Sequence, residues 1–109
     1  MNADEFRAAA LKVPGATEAA HMNHPDFRVK GKIFASLGYP DEDWGMVNLT
    51  PEHQRSFMKK SPSAFKPCNG AWGARGATNV HLASIGKGLL SEALKAASRN
   101  VIGKLKRTR

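Results

Sequence analysis

The sequence has a single cysteine, Cys68, and no run of apolar residues long enough to cross a bilayer. One cysteine cannot form an internal disulfide, which fits a reducing compartment. A membrane-spanning helix needs about 20 consecutive apolar residues. The N-terminal segment carries acids where a secretory signal carries basic residues, and it has no continuous apolar stretch. We therefore expect a cytoplasmic protein that makes no membrane contact.

Acidic residues are scarce in the second half of the chain. Residues 55–109 contain 12 Lys and Arg residues and one acid, Glu92, whereas residues 1–54 contain 5 basic and 8 acidic residues. The net charge of the whole chain is +8, and its pI is about 10.1. A strongly basic half favours a polyanionic partner. The alternative is a soluble protein whose excess charge only keeps its molecules apart.

Sequence motifs for catalysis and metal binding are also missing. There is no G-x-S-x-G motif, no phosphate-binding glycine loop and no identifiable pair of catalytic carboxylates. No activating motif surrounds Cys68. His21 and His24 are three residues apart, but they precede a strand and have no obvious partner carboxylate beyond Asp26, whereas structural zinc sites use close-spaced Cys/His pairs. We expect no enzymatic activity, no metal and no cofactor.

The clearest structural pattern lies in residues 24–37, HPDFRVKGKIFASL. Apolar and polar residues alternate before and after Gly31, and the second run puts Ile33 and Ala35 on the opposite face from Phe34. Alternation with a period of two predicts half-buried strands. Glycine permits the positive φ that a tight turn requires. The segment therefore predicts a β-hairpin that turns at Lys30 and Gly31.

The rest of the chain predicts three helices and three more strands. Helices are expected from Asn2 to Val13, from Pro51 to about Lys60, and along the apolar stripe that ends at Leu105. Strands are expected at 20–22, 46–50 and 77–83, a short turn at 61–65, and loops at 38–45 and 66–76. This order predicts one domain over residues 1–109, an α+β two-layer sandwich with an antiparallel sheet and helices on one face. A basic tail follows at 104–109.

Four segments of the chain also match motifs of a known family, and they occur in the same order as in that family. They are residues 11–18 (LKVPGATE), 24–35 (HPDFRVKGKIFA), 49–52 (LTPE) and 70–73 (GAWG). On these segments the chain resembles the MmcQ/YjbR family of small bacterial proteins. The resemblance implies a CyaY-like fold related in shape to frataxin, and a DNA-binding role through a proposed double-wing arrangement. The resemblance does not imply the iron binding of frataxin, because the first helix of this chain has only two acidic residues, Asp4 and Glu5.

The charge distribution and the resemblance together predict nucleic-acid binding, with DNA as the first candidate partner. Basic side chains would contact phosphates in a salt-dependent manner, and an aromatic side chain would stack on a base. The candidate residues are Arg28, Lys30, Lys32, Arg55, Lys59, Lys60, Trp72, Arg75, Lys104, Lys106 and Arg107.

Two other functions fit the same sequence. The basic surface would suit an acidic protein partner in an interaction module without catalysis. Alternatively, His21, His24 and the Gly- and Trp-containing loop at 66–76 would form a small-ligand or metal site. The sequence does not determine the oligomeric state.

Overall fold

Six antiparallel strands form one sheet in the order β1-β2-β3-β4-β6-β5. The computed structural model describes the backbone of residues 1–107 and the side chains of residues 1–103. The strands are β1 (Thr17–His21), β2 (His24–Val29), β3 (Lys32–Leu37), β4 (Trp44–Asn48), β5 (Phe65–Pro67) and β6 (Ala77–His81). The α+β antiparallel architecture predicted from the sequence is confirmed.

Within residues 1–107, four α-helices accompany the sheet, and the longer ones pack on one of its faces. They are α1 (Ala3–Leu11), α2 (Pro51–Lys60), α3 (Gly70–Ala74) and α4 (Lys87–Arg107), with a 3₁₀ turn at Leu82–Ser84. No helix within the described residues is long and apolar enough to cross a membrane.

Local capping fixes where the first two long helices begin. The side chain of Asn2 accepts a hydrogen bond from the Glu5 amide at 2.9 Å, and the Glu5 carboxylate accepts one from the Asn2 amide at 3.1 Å. At α2, the Thr50 hydroxyl accepts from the His53 amide at 3.0 Å, and Pro51 occupies the first turn. These contacts satisfy amides that a helix start leaves unpaired. Both predicted helix starts are confirmed.

Two tight hairpin turns organise the first three strands. Lys30 and Gly31 have φ values of 52° and 79°, and Met22 and Asn23 have values of 52° and 65°. Two successive residues with positive φ give the turn whose twist matches that of paired strands. The turn predicted at Lys30 and Gly31 is confirmed, whereas the turn at Met22 and Asn23 replaces the end of a predicted strand.

A β-bulge changes which side chains of β3 enter the core. Phe27 pairs with Ala35, but Arg28 pairs with Ile33, so Phe34 is an extra residue opposite β2. The Phe34 side chain is fully buried, as is Ala35. The expectation that Phe34 lies on the opposite face from Ala35 was therefore wrong, because the extra residue interrupts strict alternation.

The core lies between the helices and one face of the sheet. Phe6 of α1 packs against Phe27 with ring centroids 6.1 Å apart, and Phe57 of α2 packs against Phe65 at 5.3 Å. The buried stripe of α4 comprises Leu90, Ala93, Leu94, Ala97 and Val101. Side chains on the other face of the sheet, such as Ser36, Met46 and Asn79, are not covered by these helices.

Residues 61–76 contain more regular structure than the sequence indicated. Phe65, expected in a turn, begins β5, and the expected loop at 66–76 contains the end of β5 and all of α3. Pairing with β6 creates this short strand, and the Cys68 amide extends the pairing by donating to the Ala77 carbonyl at 3.0 Å. The last helix also begins at Lys87, despite the two nearby glycines.

Candidate functional site

Two contacts connect α4 with the ends of α2, and they show that the two helices run in opposite directions. The Lys60 ammonium lies 3.9 Å from the Glu92 carboxylate, which brings the end of α2 to the second turn of α4. Near the other end, the Asn100 amide donates to the carbonyl of Asn48 at 2.8 Å, just before α2 begins. These two contacts connect α2 and α4 on the core side of the sheet.

Basic side chains dominate the outer surfaces of both helices. On α4, Lys95 and Arg99 are exposed at positions opposite the buried apolar stripe. We call five exposed basic side chains the basic helical surface: Arg55, Lys59 and Lys60 of α2, and Lys95 and Arg99 of α4. Lys87 is also exposed on α4, but it is paired with Glu5 of α1 at 3.6 Å. Of these five, the sequence predicts only the three on α2 as contact residues. The i, i+4 spacing of Lys95 and Arg99 away from the apolar stripe was a signal that would have identified them.

Ion pairs occupy little of the basic helical surface. Lys60 is shared between Glu92 and the face of the Phe57 ring, whose centroid lies 5.2 Å from the ammonium. Among the described side chains, no ion pair involves the other four basic residues. An exposed pair separated by 3.9 Å contributes little stability. The surface therefore retains most of its positive charge for a partner.

The other predicted basic contacts are dispersed. Lys30 and Lys32 are exposed at the turn between β2 and β3, whereas Trp72 and Arg75 lie within and directly after α3. The side chains of Lys104, Lys106 and Arg107 lie outside the described residues. The candidates are therefore divided among at least three regions of the molecule.

Arg28 is already engaged by a buried carboxylate. Its guanidinium donates to both oxygens of Asp26, at 2.8 and 3.1 Å, and the Asp26 side chain is fully buried. The hydrogen bond from Arg28 is the main reason that the pKa of Asp26 lies below its ordinary value, with His21 assisting at 3.5 Å. A phosphate would have to compete with the Asp26 carboxylate for the guanidinium of Arg28, so we leave Arg28 out of the proposed surface.

A groove crosses the uncovered face of the sheet. Its volume is about 500 Å³. Ser36, Met46 and Asn79 occupy paired positions on β3, β4 and β6 and form its floor. We call this cavity the open-face groove.

Two walls border the open-face groove at opposite ends of the strands. One wall comes from the β1–β2 turn and the β3–β4 connection, and includes His21, His24 and Tyr39. The other follows β5 and includes Cys68 and Trp72. The structure therefore brings together the two histidines and the tryptophan that the small-ligand hypothesis named.

Exposed apolar side chains concentrate at the open-face groove. The large hydrophobic residues exposed in the described chain are Leu11, Met22, Tyr39 and Trp72, and the last three line this groove. Trp72 is 70% exposed and Tyr39 is 66% exposed. Clustered exposed apolar groups are typical of ligand or partner sites. Sequence reasoning missed Met22 and Tyr39, because only the folded sheet brings their turns beside α3.

Cys68 is a weak candidate for nucleophilic chemistry. Burial raises the pKa of its thiol to about 11, and the thiol donates to the Asn79 side-chain oxygen at 3.1 Å. The reactive thiolate is therefore scarce at neutral pH. Within the described part of the chain, no three His, Cys, Asp or Glu side chains are grouped so that they could hold a metal ion.

The fold defines a class of small α+β proteins with one uncovered sheet face, and comparison with solved structures identifies a similar one. The Deinococcus radiodurans protein DR2400, which contains the domain DUF419, aligns with a TM-score of 0.75 and 18% sequence identity. The alignment covers 94% of this chain and 80% of the other. At this identity the likeness concerns the fold alone.

The sequence also matches a family model directly. The YjbR model matches residues 11–99, so the chain belongs to the YjbR family. No curated protein matches the chain. Membership confirms the resemblance noted in the sequence.

Proposed function

We propose that this YjbR-family protein binds nucleic acid, without catalysis, through the basic helical surface. The observation that carries the proposal is that two contacts connect α4 with the ends of α2, while both helices expose basic side chains. Two guanidinium groups and three ammonium groups suit the closely spaced phosphates of a nucleic-acid backbone. Glu52 and Glu92 are the acids on these two helices.

This surface differs from the hairpin wing that the sequence suggested. The turn contributes Lys30 and Lys32, whereas the neighbouring Arg28 is held by Asp26. The basic helical surface offers five described basic side chains from two helices. Phosphate affinity depends on how many contacts form at once, because each contact releases condensed counterions. We therefore favour the helices as the main contact and keep the hairpin as a rival.

Fluorescence anisotropy with a labelled DNA duplex and a labelled single strand tests the proposal, after nuclease-treated purification. The double variant R55Q/K59Q removes two charges from α2. We expect the slope of log K against log salt to fall by about 0.9 for each lost duplex contact. The variant K95Q/R99Q should give a similar decrease from the other helix.

The matched control K30Q/K32Q removes the same number of charges from the hairpin turn. We expect it to leave the slope within error of the unaltered protein. A lower slope in this control, with unchanged slopes in both helical variants, would move the contact to the hairpin. Absence of binding to either probe near physiological salt would refute nucleic-acid binding and favour an acidic protein partner in the cytoplasm.

A further inference from the structure

The open-face groove has the size and lining of a small-molecule site. Its volume of about 500 Å³ lies within the range of about 300–1,000 Å³ that is typical of ligand sites. It lies on the sheet face opposite the core, with Met46 at the centre of its floor. The basic helical surface lies on the other side of the sheet, so any ligand here would serve a separate function.

The lining is largely apolar, with a few polar side chains. None of the described residues that line the groove is Lys, Arg, Asp or Glu. A charged ligand would lose its water without gaining a Lys, Arg, Asp or Glu partner from the lining, and His21 already faces the Asp26 carboxylate at 3.5 Å. The ligand should therefore be uncharged over the part that enters the groove.

Aromatic side chains form both walls. Trp72 projects from α3, while Tyr39 stands on the opposite wall with its ring 6.2 Å from that of His24 in an edge-on arrangement. These rings are exposed to water in the free protein, and a planar aromatic ligand would cover them. Offset or edge contacts between aromatic rings add to the gain from burial.

The floor supplies hydrogen-bonding groups that the fold leaves free. The Asn79 side-chain oxygen accepts from the Cys68 thiol, and the Asn79 NH₂ group has no partner among the described residues. Ser36 lies on the same row of the floor and its hydroxyl is likewise unpaired within the described chain. A ligand that fits both groups needs acceptors and donors along its edge.

We propose that the open-face groove binds an uncharged, planar heteroaromatic compound of nucleobase size, with its rings against Trp72 and Tyr39 and its polar edge at Asn79 and Ser36. Aromatic walls match the faces of such a compound, and the amide and hydroxyl match its ring nitrogens and exocyclic groups. A few placed polar groups in a largely apolar lining are what give small-molecule sites their orientation.

Trp72 provides the signal for a direct test with adenine as the probe. In a W44F background, Trp72 is the remaining tryptophan, so saturable quenching reports binding at the groove. We expect a Kd of about 0.1–1 mM, in the range for a compound of this size. The similarly sized anion benzoate should bind at least about tenfold more weakly, since it would place a charge against the uncharged lining.

Three further variants in the same background separate the groove from other apolar surface. N79L removes the amide and Y39A removes a wall, and each should weaken adenine binding at least about fivefold while circular dichroism stays unchanged. L11A removes the exposed hydrophobic residue that lies outside the groove, and it should leave the Kd unchanged.

The proposal is overturned if adenine gives no saturable quenching, or if benzoate binds as tightly as adenine. It is also overturned if N79L and Y39A both bind normally. Failure of this proposal is distinguishable from failure of nucleic-acid binding. Binding of uncharged adenine should be insensitive to salt, whereas contacts to phosphates weaken steeply as salt rises.

Discussion

Replacing Asp26 with asparagine tests whether one buried charge stabilises the uncovered side of the sheet. Asp26 is fully buried and accepts two hydrogen bonds from Arg28, at 2.8 and 3.1 Å. The asparagine variant keeps the shape of the side chain but removes its negative charge. We expect D26N to lower the free energy of unfolding by about 2 kcal/mol, because a hydrogen bond to a charged group contributes about 1.5–3 kcal/mol and Arg28 can regain water.

Removing Arg28 instead should be more damaging. The guanidinium is about one-third exposed, whereas the carboxylate has no exposure at all. The variant R28M therefore leaves the Asp26 carboxylate buried without its main partner. We expect the free energy of unfolding to fall by about 3–4 kcal/mol. This is near the low end for broken buried pairs, because His21 still lies 3.5 Å from Asp26. The double variant D26N/R28M should lose less stability than the sum of the two single losses, by at least about 1 kcal/mol.

Urea unfolding followed by tryptophan fluorescence measures these differences. With a slope of about 1.5 kcal/mol/M, the D26N loss should lower the midpoint by about 1.3 M while leaving the slope unchanged. A double-mutant cycle that is additive would refute the reasoning. A smaller loss for R28M than for D26N would contradict the claim that the carboxylate is the more deeply buried partner.

The Asp26 carboxylate also determines the direction in which the free energy of unfolding changes with pH. Arg28 holds the pKa of Asp26 below its ordinary value of 3.8. Its stabilising effect is therefore fully present above about pH 5 and is lost progressively as pH falls past 3.8 and through the lowered pKa of the folded state. The stability difference between the unaltered protein and D26N should shrink over that acidic window, in unfolding curves measured at successive pH values. A constant difference down to the acid limit would contradict this assignment.

Three further predictions concern other parts of the fold. G76A should destabilise by at least about 3 kcal/mol in urea unfolding, because Gly76 has a φ of 114° and a Cβ there would overlap the Leu49 carbonyl; G88A, which meets open space, is the control. F34A should lose about 3–5 kcal/mol in the same assay, since the ring is fully buried, and a loss below 1 kcal/mol would contradict its place in the core. Iodoacetamide should alkylate Cys68 about a hundredfold more slowly at pH 8 than a free cysteine, given its pKa of about 11, and mass spectrometry should detect faster reaction in urea.

Much of the fold could be predicted from signals between residues that are close in the sequence. The Asn2–Glu5 capping pair, the Thr50–Pro51 helix start and the turn at Gly31 each depend on neighbouring residues, and each is confirmed. The bulge at Phe34 was not predictable in this way, because it depends on the register between two strands. Strand β5 likewise exists because β6 pairs with it, although its own three residues carry little strand pattern.

Candidate sites were harder to predict, because each combines distant parts of the chain. The basic residues of α2 were evident as an exposed cluster, and the spacing of Lys95 and Arg99 marked them as exposed too. Only the folded structure shows the contacts that connect α4 with the ends of α2. Arg28 was named for its charge, although its partner Asp26 lies only two residues away on the same strand. Residues two apart in a strand share a face, so that pairing could have been inferred from the hairpin prediction.

The placement of the two proposed sites makes their functions separable. The basic helical surface and the open-face groove lie on opposite sides of one sheet, and the described side chains that form them do not overlap. Charge removal at Arg55 and Lys59 should therefore weaken nucleic-acid binding and leave the adenine Kd unchanged, while N79L should do the reverse. If either variant weakens both activities while circular dichroism remains unchanged, the sheet must transmit a change between its faces, since no shared contact residue would explain the loss.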